Sequence, residues 1–246
     1  YRLHQLLKHQ QFQRRHYHSD FAFFAPCRSN DGCNVSAQHP ATLPKFSSGS
    51  GLVTSDQPIT DWLTAVASRN PTPGGGAVAA HLGAQSTALF AMVCRYSKTG
   101  DFGPQFISAL DASTQRFLEL AQADEVAYQT LMLTLKNERK NGSDPIKIDA
   151  AYLAAAEPPL MMFELAVKIA RQFCAVQDTT NKNLASDTSM VALMLECTLR
   201  CAELNIHINL NACKDATLTE AYKLRVQSHS EARETLEAII AQPTAQ

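Results

Sequence analysis

Net charge is the first thing this sequence lacks: 22 lysines and arginines stand against 23 aspartates and glutamates. Binding to nucleic acid needs a basic face, and the balance removes any general case for it. Unbroken apolar runs are missing too. The longest apolar stretch, residues 77–94, is interrupted by His81, Gln85, Ser86 and Thr87, so it reads as a buried helix and no transmembrane segment is expected. No segment shows strand alternation, which leaves an all-α class. The seven cysteines are scattered and odd in number, which suits free thiols in a reducing compartment. Cys197 and Cys201 stand on one helix face with His207 and Cys213 nearby, but without the CxxC spacing of a zinc site no metal is expected.

Residues 1–57 differ in character from the rest. Arg2, Lys8, Arg14, Arg15 and four histidines precede the first acid, Asp20, a composition similar to a mitochondrial targeting segment. The chain starts at Tyr1, which fits removal of a presequence and equally an artificial cut at that point. The expectation is therefore a mitochondrial protein on the matrix side, with the cytoplasm as the alternative. Phe21, Phe23, Phe24 and Phe46 lie in an extended segment without periodicity. They are candidate anchors for wrapping its own domain or holding a protein partner.

Residues 58–246 read as one helical domain. Ile59, Trp62, Leu63 and Val66 keep helical spacing behind Pro58, and that helix ends at Asn70-Pro71. Pro71-Thr72-Pro73-Gly74-Gly75-Gly76 is a tight loop leading into a helix that runs to about residue 97. Two readings of Gly74, Gly75 and Gly76 stand: a cradle for an anionic ligand at a helix N-terminus, or close packing of two helices. The fingerprint Gly74-x-Gly76-x-x-Ala79 does not signal a dinucleotide, because no strand precedes it. Further helices are predicted from about 104 to 140, from 146 to 176 with a kink or restart at Pro158-Pro159, from Ser186-Asp187 onward, and from about 217 to 240. Ser186-Asp187 reads as a helix cap or as an acid-base group at a cleft mouth. Asp124 reads as a solvated position on a long helix, and His81 as a helix-face histidine one turn beyond the glycines.

PTPGGGAVAAHLGAQSTALFAMV, AQADEVAY, EPPL, NKNLASDTSMVALMLE and NIHINL resemble, in order and spacing, the cyclodeaminase/cyclohydrolase family. That family includes the C-terminal half of formiminotransferase-cyclodeaminase and bacterial methenyltetrahydrofolate cyclohydrolases. The resemblance covers residues 58–240 and implies an all-helical homodimer holding a tetrahydrofolate derivative in a cleft. It implies Gly74, Gly75 and Gly76 against the folate, Asp187 as the catalytic carboxylate beside Ser186, and Asp124 on the cleft wall. The chain departs from the family at Ala77, where a serine is usual, at Gln122, where the family has an acid, and at residues 99–103, where it has a basic turn. Two functional classes follow. One is a largely non-catalytic accessory subunit of a mitochondrial protein assembly, attached through residues 1–57. The other is a folate enzyme, a methenyltetrahydrofolate cyclohydrolase or formiminotetrahydrofolate cyclodeaminase.

Overall fold

The computed structural model describes residues 57–98, 102–228 and 230–241. The targeting, anchoring and partner expectations for the N-terminal extension lie outside the described residues. Among the described residues seven α-helices run in the order α1 (Ile59–Val66), α2 (Gly75–Arg95), α3 (Pro104–Asn141), α4 (Pro145–Val176), α5 (Ala185–Ala212), α6 (Ala216–Gln227) and α7 (Ser230–Ile240). Among the described residues there is no strand.

Local chemistry sets most of the boundaries. α3 opens on Pro104, whose missing N–H costs nothing in a first turn, and closes at Gly142 in the left-handed conformation, φ 89°. The αL residue that ends α3 is followed two positions later by Asp144, whose carboxylate accepts from the Ile146 N–H and starts α4. Asp215 does the same for α6, accepting from the N–H groups of Thr217 and Leu218. The single terminal helix read from the sequence is two helices. Ser228 ends the first of them, its hydroxyl donating to the Arg225 carbonyl at 2.8 Å and so satisfying a last-turn acceptor.

Helices α2 to α5 form the core. α2 packs on α3 and α5, and α4 packs on the same two. Phe90, Phe117, Phe173, Leu160, Ile169, Leu195 and Leu199 are all under 2% exposed, and Phe90 meets Phe173 edge-on at 5.4 Å. α2 fits among them because it is thin: Ala77, Ala79, Ala80, Gly83 and Ala84 are buried. A Cβ on Gly83 would lie 2.6 Å from the Phe117 ring, so that glycine makes room for an aromatic side chain. By length and hydropathy α2 alone among the described residues could cross a membrane. Its buried position accounts for that composition without one.

Of the kink or restart predicted at Pro158-Pro159 no restart occurs, since both prolines lie inside one continuous α4. Each removes an N–H from the helix ladder, leaving the carbonyls of Ala154 and Ala155 without helical donors. Ala154 is exposed and reaches water. Ala155 is 5% exposed, and its carbonyl accepts instead from the Asn209 side chain of α5 at 3.2 Å. The second asparagine of NIHINL thus carries a structural duty that explains its place. Asn209→Ala strands that carbonyl, and the expected cost is about 1–3 kcal/mol in urea unfolding, with Asn209→Asp, which has no N–H to donate, at least as damaging.

Candidate functional site

The N-terminus of α2 gathers most of the residues singled out from sequence. Its loop is tied to α3 by Gln129, whose amide donates to the Thr72 hydroxyl at 3.1 Å. The three glycines then divide by role. Gly76 is a packing glycine: a Cβ there would lie 2.3 Å from the Asp124 carboxyl carbon and both its oxygens. Gly75 is exposed, and a Cβ on it would meet only the Asn205 amide at ordinary distances, 3.7 Å and beyond. Gly74 is equally open, with the Pro71 carbonyl at 3.8 Å. Both sequence readings are therefore partly right, with packing at Gly76 and open backbone at Gly74 and Gly75.

Asp124 is not the solvated residue its surroundings in sequence suggest. Its carboxyl is withdrawn from water, and burial pushes its pKa from 3.8 up to about 6 although a hydrogen bond from the Ala77 N–H pulls the other way. The next residue, Glu125, is 2% exposed and its Oε2 has no hydrogen-bond partner. Burial, then the neighbouring Asp124 charge, raises its pKa from 4.5 to about 7. Sequence reasoning missed Glu125, and nothing in its spacing marks it: it follows Asp124 on α3 and turns about 100° round the helix, into the packed interior. Carboxyls that titrate near neutrality are the groups acid-base chemistry requires.

Three other predicted residues lie elsewhere. His81 stacks on Trp62 of α1 at 4.1 Å, and burial lowers its pKa. Asp187 sits in the first turn of α5 and does not cap it, since the helix starts at Ala185 behind Leu184; Ser186 is exposed. α5 runs antiparallel to α2. Asn181, just before α5, bonds to Tyr96 and Ser97 past the end of α2, the Ser86 hydroxyl donates to the Val191 carbonyl at mid-length, and Asn205 lies against Gly75. Within one chain Asp187 is therefore about 27 Å along α5 from Asn205 and the glycines. The structure brings Asp124 to Gly76 and leaves Asp187 and Ser186 at the opposite end of the bundle. Cys197 and Cys201 sulfurs are 3.9 Å apart, and among the described residues no group of three or more His, Cys, Asp or Glu side chains could hold a metal ion.

A family profile, formiminotransferase-cyclodeaminase, matches residues 58–228. The chain belongs to this family. Family membership agrees with two relatives. A methenyltetrahydrofolate cyclohydrolase of Methylorubrum extorquens is 27% identical, the match covering 67% of this chain and 85% of that protein. The crystal structure of a formiminotetrahydrofolate cyclodeaminase from Thermotoga maritima superposes with a TM-score of 0.61 at 24% identity, covering 75% of this chain and 98% of that one. The second likeness shows that the all-α architecture is the family fold.

Two outcomes check this geometry. Gly76→Ala must displace the Asp124 carboxyl and is expected to cost about 1–3 kcal/mol in urea unfolding, whereas Gly75→Ala leaves stability unchanged or raises it by up to ~1 kcal/mol. The second concerns pH. Raised pKa values mean that the folded chain keeps protons on Asp124 and Glu125 that the unfolded chain has released. Stability is therefore highest below about pH 4, falls as pH rises towards 7, and is flat above for these two groups. Glu125→Gln removes much of that slope in unfolding midpoints measured from pH 4 to 8.

Proposed function

We propose that the chain is a folate-dependent enzyme of its family, a methenyltetrahydrofolate cyclohydrolase or formiminotetrahydrofolate cyclodeaminase, acting at the N-terminus of α2. One observation carries this reading: the Asp124 carboxyl, raised to about 6, is pressed against Gly76, next in the chain to the open backbone of Gly74 and Gly75. In the cyclohydrolase reaction a base takes a proton from water as its oxygen adds to the methenyl carbon; the same group then gives that proton to the departing nitrogen as the C–N bond breaks, and the hydroxyl of the adduct loses its proton to solvent as the carbonyl forms. A carboxyl mostly ionised at neutral pH, yet still basic enough to hold a proton, suits both halves of that sequence. In cyclodeamination the acid form helps ammonia leave as the ring closes. The first turn of α2 would offer an anionic substrate backbone N–H groups at the positive end of the helix dipole, and the Asn205 amide lies against Gly75.

A second reading keeps one specific observation in its favour. The Ala77 N–H already serves the protein's own Asp124, and Ala77 itself is fully buried with no hydroxyl to offer, so part of the donor set at this helix start is spent on the fold. On that reading the domain is a largely non-catalytic accessory subunit of a mitochondrial assembly, joined to protein partners through residues 1–57.

Loss of methenyltetrahydrofolate absorbance separates the two. The enzyme reading expects decay faster than in buffer, and Asp124→Asn to lower that excess by about 10²-fold or more without unfolding the chain. Decay at the buffer rate, with no folate bound at equilibrium, leaves the accessory reading.

A further inference from the structure

Tyr128 stands one turn beyond Asp124 on α3 and has no polar or aromatic partner in the fold. Its side chain is 38% exposed, and it makes neither a hydrogen bond nor a ring contact among the described residues. The course of α3 against α2 sets its place. Asp124 meets Gly76 and Phe117 meets Gly83, so the two helices run antiparallel. Tyr128, four residues on from Asp124, therefore lies on nearly the same flank of α3 and about 6 Å further along its axis, past Gly75, where α2 begins. The loop before α2 is held on a different flank, by Gln129 about 100° round α3, whose amide donates to the Thr72 hydroxyl. Side chains on a helix lean towards its N-terminus, which on α3 carries the Tyr128 ring back towards Asp124.

Asn205 of α5 stands on another side of the same helix start. Its Nδ2 donates to the Cys201 carbonyl at 2.8 Å, which fixes the amide with its oxygen nearer to Gly75: a Cβ there would lie 3.7 Å from Oδ1 and 4.0 Å from Nδ2. No donor among the described residues meets that oxygen. Gly75 and Gly76 point about 100° apart on α2, so the Asn205 oxygen and the Asp124 carboxyl approach the first turn from two flanks. Both are acceptors when Asp124 is ionised. A bare anion held between them is repelled, whereas a ring that carries N–H donors on one edge satisfies Asn205 and leaves its other edge to Asp124. The uncommitted Tyr128 ring adds a third demand, a flat face to stack on. Of the parts of a folate only the pterin meets all three, since the benzoyl ring has no such donor edge and the glutamate is an anion.

We infer that Tyr128 and Asn205 select the pterin ring of the substrate: the ring stacks on Tyr128, its exocyclic amino group donates to the Asn205 oxygen, and the opposite edge, which bears the one-carbon bridge, faces Asp124. The assignment rests on the reading of this opening as a folate site. Free pterin, followed by the quenching of its own fluorescence, tests it without any turnover. Tyr128→Phe is expected to hold pterin within about twofold of the wild type, and Tyr128→Leu about tenfold more weakly, both with unchanged circular dichroism. The wild type is expected to prefer pterin by about two- to tenfold over the same ring with hydrogen in place of the amino group, and Asn205→Leu to lose that preference. Tyr128 is exposed, so its variants decide the matter even where Asn205→Leu unfolds the chain. In an active chain the Tyr128→Leu loss falls on KM, because stacking serves ground and transition states alike. Equal binding of pterin by the wild type and Tyr128→Leu, or equal binding of the two rings by the wild type, overturns the assignment even where methenyltetrahydrofolate is turned over. Pterin bound with both preferences by a chain that hydrolyses no methenyltetrahydrofolate supports the assignment and overturns only the enzyme reading. A wild type that binds no pterin overturns the assignment, and turnover in the same preparation then judges the enzyme reading separately.

Discussion

The close approach of Asp124 to Gly76 governs how this bundle is put together. A side chain at residue 76 would occupy the space of the carboxyl, so the first turn of α2 and the middle of α3 are held at a separation that only a glycine allows. The same device recurs two turns on, where Gly83 admits the Phe117 ring. α2 is in effect a rod of alanine and glycine against which larger side chains of α3 and α5 close. The approach also has an electrostatic result. An acid pressed against the helix start loses solvent faster than it gains compensation from one N–H, so its proton is held to higher pH, and Glu125 behind it is affected in turn.

Most helices and most of their boundaries were legible in the sequence because they rest on local chemistry. Pro104, Gly142, Asp144 and Pro145 start and stop helices by their own backbone and side-chain preferences, and the apolar period of the intervening segments does the rest. What stayed hidden depended on contacts far apart in sequence. Pro158-Pro159 reads as a kink or restart to anyone who sees only α4; the donor that replaces a lost rung is Asn209 on α5, 54 residues from the carbonyl it serves. Ser228 reads as one more polar position in a helix, and its hydroxyl bond ends that helix instead.

The site divides in the same manner. Gly74, Gly75 and Gly76 announce themselves by composition, and Asp124 came forward only through the family pattern, because its neighbours Ala121, Ala123 and Ala127 give no sign of which face is buried. Asp187 stands out in sequence as a polar pair before a helix, yet the antiparallel course of α2 and α5 carries it to the far end of the chain's own bundle. Spacing along a sequence gives no account of such a separation; it follows from three contacts, at Ser86, Asn181 and Asn205, that fix the direction of one helix against another.

The prolines of α4 have a consequence for motion. A helix normally transmits displacement along its length through a continuous ladder of hydrogen bonds, and α4 has two rungs missing at its middle. A bend there meets less resistance than in an unbroken ladder, and the carbonyl freed at Ala155 is held instead by the Asn209 side chain of α5, which also donates to the Asn205 carbonyl at 3.0 Å.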